Sequence, residues 1–302
     1  MSVIALLTAS PGVFIGAAVA LGLVIGSFLN VVIYRLPVML DRQWREQCAE
    51  FSGHDAAAAT TPAIALTPFN LAVPRSTCPS CKAPITALQN IPLLSWLILG
   101  GRCAKCGKPI SVRYPLIEAL TGVLTAAVAW KFGFGWPALS GMVLTWFLVA
   151  LTFIDVDHQL LPDSLTLPLV WGGLLVSLWG PQTGTMTFPP DVRSSLIGAM
   201  AGYVSLWSVY HLFRWLTGKE GMGYGDFKLF AAIGAWLGWQ MLIPVILIAA
   251  IVGAIVGIVV LTVRGQNRAT PIAFGPFLAA AGWLMFMWGP PIVADYLHWF
   301  MR

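Results

Sequence analysis

Apolar residues in this chain gather into long unbroken runs, at about 12–33, 114–131, 136–154, 164–180, 194–215, 227–239, 241–263 and 271–289. A hydrocarbon core of about 30 Å takes roughly 20 residues of helix, so the pattern predicts about eight transmembrane helices. The run at 227–239 is short, and the break at Gly238-Trp239-Gln240 is the least sharply marked. Small residues recur four apart at Gly22 and Gly26, Gly198 and Gly202, and Gly253 and Gly257, a spacing that lets helix backbones approach closely. One long polar segment, Arg35 to Arg113, interrupts the series. The expected architecture is all-α and polytopic: a first transmembrane helix in 1–33, a small insert in 34–113, and a membrane-embedded domain in 114–302. The run Val13–Ile33 reads as a retained span. No basic stretch precedes it, and it runs into Tyr34-Arg35-Leu36-Pro37 without a small-residue cleavage site.

Composition supports the same class. Of 302 residues, 58% are hydrophobic and 10% charged, against about 25% charged in soluble domains, and the mean hydropathy is +0.81. Membrane lipid is therefore an expected partner, and nucleic acid is not. The net charge of +5 is informative by position. With this span layout, every Lys and Arg except Lys131, Arg193 and Arg302 falls on one side of the membrane. Loops rich in Lys and Arg stay in the cytoplasm, so the insert is expected inside and both termini outside.

The insert opens with a charged, helix-compatible run (Asp41–Glu50), followed by a loop-like Ala56–Pro62 stretch. After it come Cys78-Pro-Ser-Cys81 and Cys103-Ala-Lys-Cys106. The pairs are copies: Cys-Pro-Ser-Cys-Lys-Ala-Pro-Ile returns 25 residues later as Cys-Ala-Lys-Cys-Gly-Lys-Pro-Ile. Two facing knuckles make a tetrahedral Cys₄ site of the kind structural zinc prefers. Two disulfides or four unrelated thiols are the competing reading, but structural disulfides are rare in a reducing cytoplasm. Zinc on Cys78, Cys81, Cys103 and Cys106 is expected to be structural, because no coordination position is left open. Cys48 reads as an ordinary thiol. The apolar stretch Ile91–Gly100 is too short to span and reads as a small core or a piece lying on the membrane surface.

Acidic residues number only 12 in all, and Asp155, Asp157 and Asp163 fall together where one span reaches the basic side. A further one, Asp226, closes Gly221-Met-Gly-Tyr-Gly-Asp226 at the same depth. Ionisable groups at a membrane edge are functional candidates by default. Two carboxyl groups held together share a proton, giving one base for water and one acid for a carbonyl. Gly221, Gly223 and Gly225 would permit unusual backbone angles and close approach of a substrate strand. Asp155 and Asp157 lie about 200° apart on a helix, so only one can face Asp226. Asp155 is the better held, being nearer the span. Asp163, after Pro162 and before an apolar run, reads as a helix N-cap, and His158 as a polar loop residue. A proton-relaying transporter would place acids deep within spans. A zinc peptidase would need an open metal site and His-Glu-x-x-His, which the chain lacks.

Taken together, Gly26-Ser-Phe-Leu-Asn30 with Tyr34-Arg-Leu-Pro37, the doubled Cys-x-x-Cys insert, Ile154-Asp-Val-Asp-His with Leu161-Pro-Asp163, and Gly221-Met-Gly-Tyr-Gly-Asp-Phe-Lys228 resemble the bifunctional prepilin peptidases of type IV pili and type II secretion. The resemblance covers nearly the whole chain in order. It implies an inner-membrane aspartic protease with Asp155 and Asp226 as the catalytic pair. The implied substrates are prepilin and pseudopilin precursors, cut after a glycine. The same resemblance implies methylation of the new N-terminal residue with S-adenosylmethionine, with no residues indicated for that donor. Ser27, Asn30 and Arg35 either help that second activity or order the start of the insert.

Overall fold

The computed structural model describes residues 2–51, 69–78, 80–86, 91–181, 187–264 and 273–300. The Ala56–Pro62 stretch and most of the 264–270 loop lie outside the described residues. Ten α-helices follow one another among them: α1 (Val3–Ala9), α2 (Pro11–Phe51), α3 (Leu94–Ile98), α4 (Arg113–Phe132), α5 (Trp136–His158), α6 (Asp163–Ser177), α7 (Val192–Thr217), α8 (Tyr224–Leu237), α9 (Leu242–Arg264) and α10 (Gly275–Phe300). No strand is present among the described residues. The chain forms two compact units, residues 1–130 and 131–302.

Each expected span has a helical counterpart, but six helices among the described residues, not eight, are long and apolar enough to cross a bilayer. The two that fall short are α6, with 15 residues, and α8, with 14. Their lengths make sense from their surroundings. α8 packs against α6, α7 and α10, and its Phe227, Leu229, Phe230, Ala232, Ile233 and Trp236 are all buried. It is hydrophobic all round because it is enclosed, as a core helix is. Gly238 closes it at φ 84°, and a single 3-10 turn, Trp239–Met241, leads into α9.

Lipid is as apolar as leucine, so close packing and hydrogen bonds hold such helices together rather than the hydrophobic effect. A Cβ on Gly198 would approach Gly234 O, and one on Gly202 would lie 2.7 Å from Phe230 O. The first two glycine pairs expected to pack therefore do so. Gly198 and Gly202 seat α7 on α8, and in the first unit Gly22 and Gly26 seat α2 on Gly122, Thr121 and Thr125 of α4. Trp236 Nε1 donates to Leu169 O (2.7 Å) and Ser195 Oγ to Ala235 O (2.5 Å), fixing α8 to α6 and α7 by buried polar contacts.

The first helix departs from expectation. The sequence suggests an exit near Tyr34, yet α2 runs on to Phe51 through Pro37. Proline removes one backbone donor and clashes with the preceding turn. Strong helix formers follow it (Leu40, Arg42, Gln43, Arg45, Glu46, Gln47), enough to continue the helix. Arg45 pairs with Asp41 one turn back at 3.0 Å. At 1.5 Å per residue, its 41 residues extend about 60 Å, so the helix outruns the bilayer by roughly half its length. Arg35 ties α2 to the segment before the first cysteine pair: its guanidinium donates to Asn70 O (2.9 Å) and Pro74 O (2.6 Å). Asn30 donates to Tyr114 O at 3.1 Å.

Candidate functional sites

In the insert, the duplicated sequence folds into duplicated geometry. Cys78 N donates to Ala83 O and Lys82 N to Cys78 O, while Cys103 N donates to Lys108 O and Gly107 N to Cys103 O, all at 2.9 Å. Single antiparallel bridges, Thr77 with Pro84 and Arg102 with Pro109, flank the two turns. The turn in each copy needs a left-handed residue, and it is Lys82 at φ 57° in one and Gly107 at φ 68° in the other. The four sulfurs end within 4.8 Å of one another, with Cys78 Sγ and Cys106 Sγ 3.8 Å apart. Four Zn–S bonds of about 2.3 Å in a tetrahedron separate the sulfurs by about 3.8 Å, so the donor set fits such an ion. Backbone N–H groups of Cys81 and Ser80 aimed at Cys78 Sγ pull its thiol down to about 6. Cys103 is lowered in the same way by Cys106 and Lys105. At Cys106 the Lys108 N–H acts downward, but desolvation and the neighbouring thiols together hold it up at about 11. Four sulfurs packed this closely form a donor set that a soft cation would stabilise.

In the second unit, α5 ends in a left-handed turn at Gln159 (φ 51°), whose N–H caps Asp155 O. The carboxyl of Asp155 therefore sits in the last turn of α5, immediately before the chain reverses. α8 begins at Gly223, the N-cap, with Asp226 in its first turn. The Gly223 N–H points back at the Asp226 carboxyl, half of a capping box. Tyr224, Phe227 and Tyr210 pack against one another in tilted and edge-on contacts, with centroids 5.2 to 5.6 Å apart. Asp155 and Asp226 are 5% and 6% exposed, the buried acids of this unit among the described residues. Asp157 and His158 face outward.

Two glycines and a leucine bring the carboxyl groups into one cluster. Leu161 Cδ1 lies 3.3 Å from a Cβ built on Gly225 and 3.1 Å from one built on Gly275. The Gly275 N–H is aimed at the Asp155 carboxyl, and a Cβ on Gly275 would stand 2.5 Å from Asp155 Oδ2. That Oδ2 is buried without a hydrogen-bond partner among the described residues. The two carboxyl groups lie within electrostatic reach of each other.

Several details differ from expectation. Asp163 is the first residue of α6 and Pro162 its cap, with no side-chain capping bond. Asp163 instead pairs with Lys228 of α8 at 2.5 Å, bracing α6 to α8 beside Leu161. Gly221, Gly223 and Gly225 do not take left-handed angles. Gly225 is needed for closeness, since a Cβ there would be 2.5 Å from Leu161 Cβ. Gly275 and Lys228 were not singled out from sequence as part of this cluster. The Gly275-Pro276 pair was a legible signal, because proline in a first helical turn follows a cap, but nothing local ties that start to Asp155.

The chain matches the bacterial peptidase A24 N-terminal domain over residues 20–132 and the type IV leader peptidase family over residues 142–258. It is 53% identical to a prepilin leader peptidase/N-methyltransferase of Aeromonas hydrophila, over 96% of each chain. It is 49% identical to one of Stutzerimonas stutzeri, over 99% of each. A third, from Neisseria gonorrhoeae, is 49% identical over 89% of this chain and 88% of its own. No solved structure matches it.

Proposed function

The chain belongs to the type IV leader peptidase family, and on that premise we propose that it cleaves leaders from prepilin and pseudopilin precursors at the cytoplasmic face of the bacterial inner membrane, then N-methylates the residue exposed. The observation that carries the peptidase half is the buried carboxyl pair, Asp155 and Asp226, gathered at one end of the second unit. In this reading the ionised carboxyl takes a proton from water as the water oxygen attacks the scissile carbonyl. The protonated carboxyl gives its proton to the carbonyl oxygen. Collapse of the tetrahedral intermediate breaks the C–N bond. The amine leaves with the proton taken from water, and the carbonyl oxygen returns the other. The free Oδ2 of Asp155 is where attacking water would be held. Gly223, the cap of α8, and Gly225 in its first turn form the approach that the substrate takes.

The depth of the pair suits a precursor whose hydrophobic helix lies in the bilayer and whose leader projects into the cytoplasm. The basic residues on that side support the orientation. By its sulfur spacing, the four-cysteine cluster fits zinc, and we assign Cys78, Cys81, Cys103 and Cys106 to a structural ion that holds the two knuckles together. The methyl donor of this reading is S-adenosylmethionine, as the motif resemblance implies. A groove in the first unit between α3 and α4 is apolar throughout and does not suit that charged donor, so no step is routed through it. Purified protein incubated with a prepilin and S-adenosylmethionine should give a product lacking the leader and carrying one methyl group by mass. An unprocessed precursor would refute the reading.

A further inference from the structure

The insert carries an apolar face that neither the proposed peptidase site nor the cysteine cluster uses. On α3, Leu94, Leu97 and Ile98 are 58%, 65% and 82% exposed. On α4, Leu116, Leu120 and Val123 are exposed as well, and their spacing sets them on one side of the helix. A groove lined by Leu93, Trp96, Leu97, Val112, Leu116 and Leu120 joins the two helices into one surface that exposes no polar atom. α4 is one of the six membrane-length helices, so its exposed side faces lipid, and the α3 surface continues it.

The position of α3 is built rather than incidental. Glu118 of α4 is buried and accepts a hydrogen bond from Leu93 N at 2.9 Å, with Ser27 as a second donor. Leu93 itself sits at φ 58°, a conformation uncommon for a bulky residue. On the other side, Trp96 Nε1 donates to Ile110 O (3.3 Å), and Gly101 lies where a Cβ would be 2.8 Å from the Trp96 ring. A buried carboxylate in a span and a strained leucine are both costly. Both serve to hold a five-residue helix with its apolar side outward.

The geometry points to α3 as a membrane-surface anchor: Glu118 latches it to the foot of α4 so that Leu94, Leu97 and Ile98 enter the lipid leaflet at that end and hold the cysteine knuckles at fixed depth. The occupant is lipid. The surface is continuous with the lipid face of a span, and exposed Arg102, Lys105, Lys108 and Arg113 follow α3 in the chain, matching anionic headgroups beside an apolar face. This inference rests on α4 spanning the membrane and is independent of the peptidase reading.

The test uses the full chain in nanodiscs of phosphatidylglycerol and phosphatidylethanolamine, with a photocrosslinking phenylalanine derivative at Leu97, at Ile98 or, as control, at exposed Gln47 in the part of α2 that outruns the bilayer. Lipid adducts at Leu97 and Ile98 and none at Gln47 are expected by mass. Cross-links from Leu97 to a second copy of the chain or to added precursor, or no lipid adduct, overturn the anchor. In the Leu97 background, Glu118→Ala should lose the lipid adduct while zinc content stays unchanged. Glu118→Gln, which keeps an accepting oxygen, should retain it. An adduct undiminished in Glu118→Ala refutes the latch.

Discussion

Replacing Gly275 with alanine adds a single carbon 2.5 Å from Asp155 Oδ2, 3.2 Å from its Cγ and 3.1 Å from Leu161 Cδ1. Non-bonded carbons settle at about 3.5–4.0 Å, and carbon–oxygen contacts only slightly closer, so the carboxyl must retreat by roughly 1 Å. The backbone N–H aimed at Asp155 survives the change, which isolates the effect of the methyl group. A displacement of about 1 Å at a reacting group costs about 10²-fold in rate, a rise of roughly 2.7 kcal/mol in the barrier. Overpacking should cost about 1–3 kcal/mol of stability. The Gly275→Ala protein should therefore accumulate as a folded enzyme with leader cleavage down about 100-fold in kcat and little change in KM, because a reacting group and not a binding contact has moved. Timed prepilin cleavage, followed by mass, measures this. Zinc content and methylation of an already cleaved substrate should be unchanged. Gly16→Ala is the control, since nothing lies within 4 Å of a Cβ there, and it should cleave normally. Wild-type cleavage by Gly275→Ala would mean that Asp155 tolerates the displacement, and the role given to its position would fail.

Gly225→Ala, which sets a Cβ 2.5 Å from Leu161 Cβ, should also lower cleavage, and Leu161→Gly in the same chain, which removes that carbon, should restore part of it; a double variant no better than Gly225→Ala would contradict the packing argument. Lys228→Ala removes a half-exposed ion pair with Asp163, a kind of contact worth about 0–1 kcal/mol, so it should reduce thermal stability only slightly. A large loss of stability would mean that the pair does more than brace α6 to α8. Cys78→Ser and Cys106→Ser should each lower bound zinc and protein yield. Fully active protein with no zinc by elemental analysis would rule out the structural ion. A phosphatase fused after Arg302 should be active in the periplasm, whereas a fusion within the insert should be silent; the reverse pattern would overturn the orientation.

The helices were legible because runs such as 136–154 and 241–263 meet the length a bilayer demands, and glycine pairs marked the tight crossings. The register of the knuckles was legible too, since repeated sequence gave repeated hydrogen bonds 25 residues apart. What one-dimensional reading could not supply was enclosure. α8 is too short to span, yet nothing in its own residues says that α6, α7 and α10 surround it. Local rules also failed where distant partners took over. Asp163 looks like a cap by its neighbours, but Lys228, remote in sequence, claims its carboxylate. Pro37 looks like an exit, but the helix formers after it carry α2 onward. The acids drew attention to Asp155 and Asp226, and burial separates Asp155 from exposed Asp157. Gly275 went unseen because its meaning is a tertiary contact with Asp155.

Leader cleavage by Asp155→Asn, Asp226→Asn and the double variant, timed side by side on one prepilin, bears most directly on the central claim that these two carboxyl groups act as one unit. Each single variant should lose nearly as much as the double, as groups that act together do, with zinc content unchanged and a precut substrate still methylated. Normal cleavage by either single variant would contradict the account.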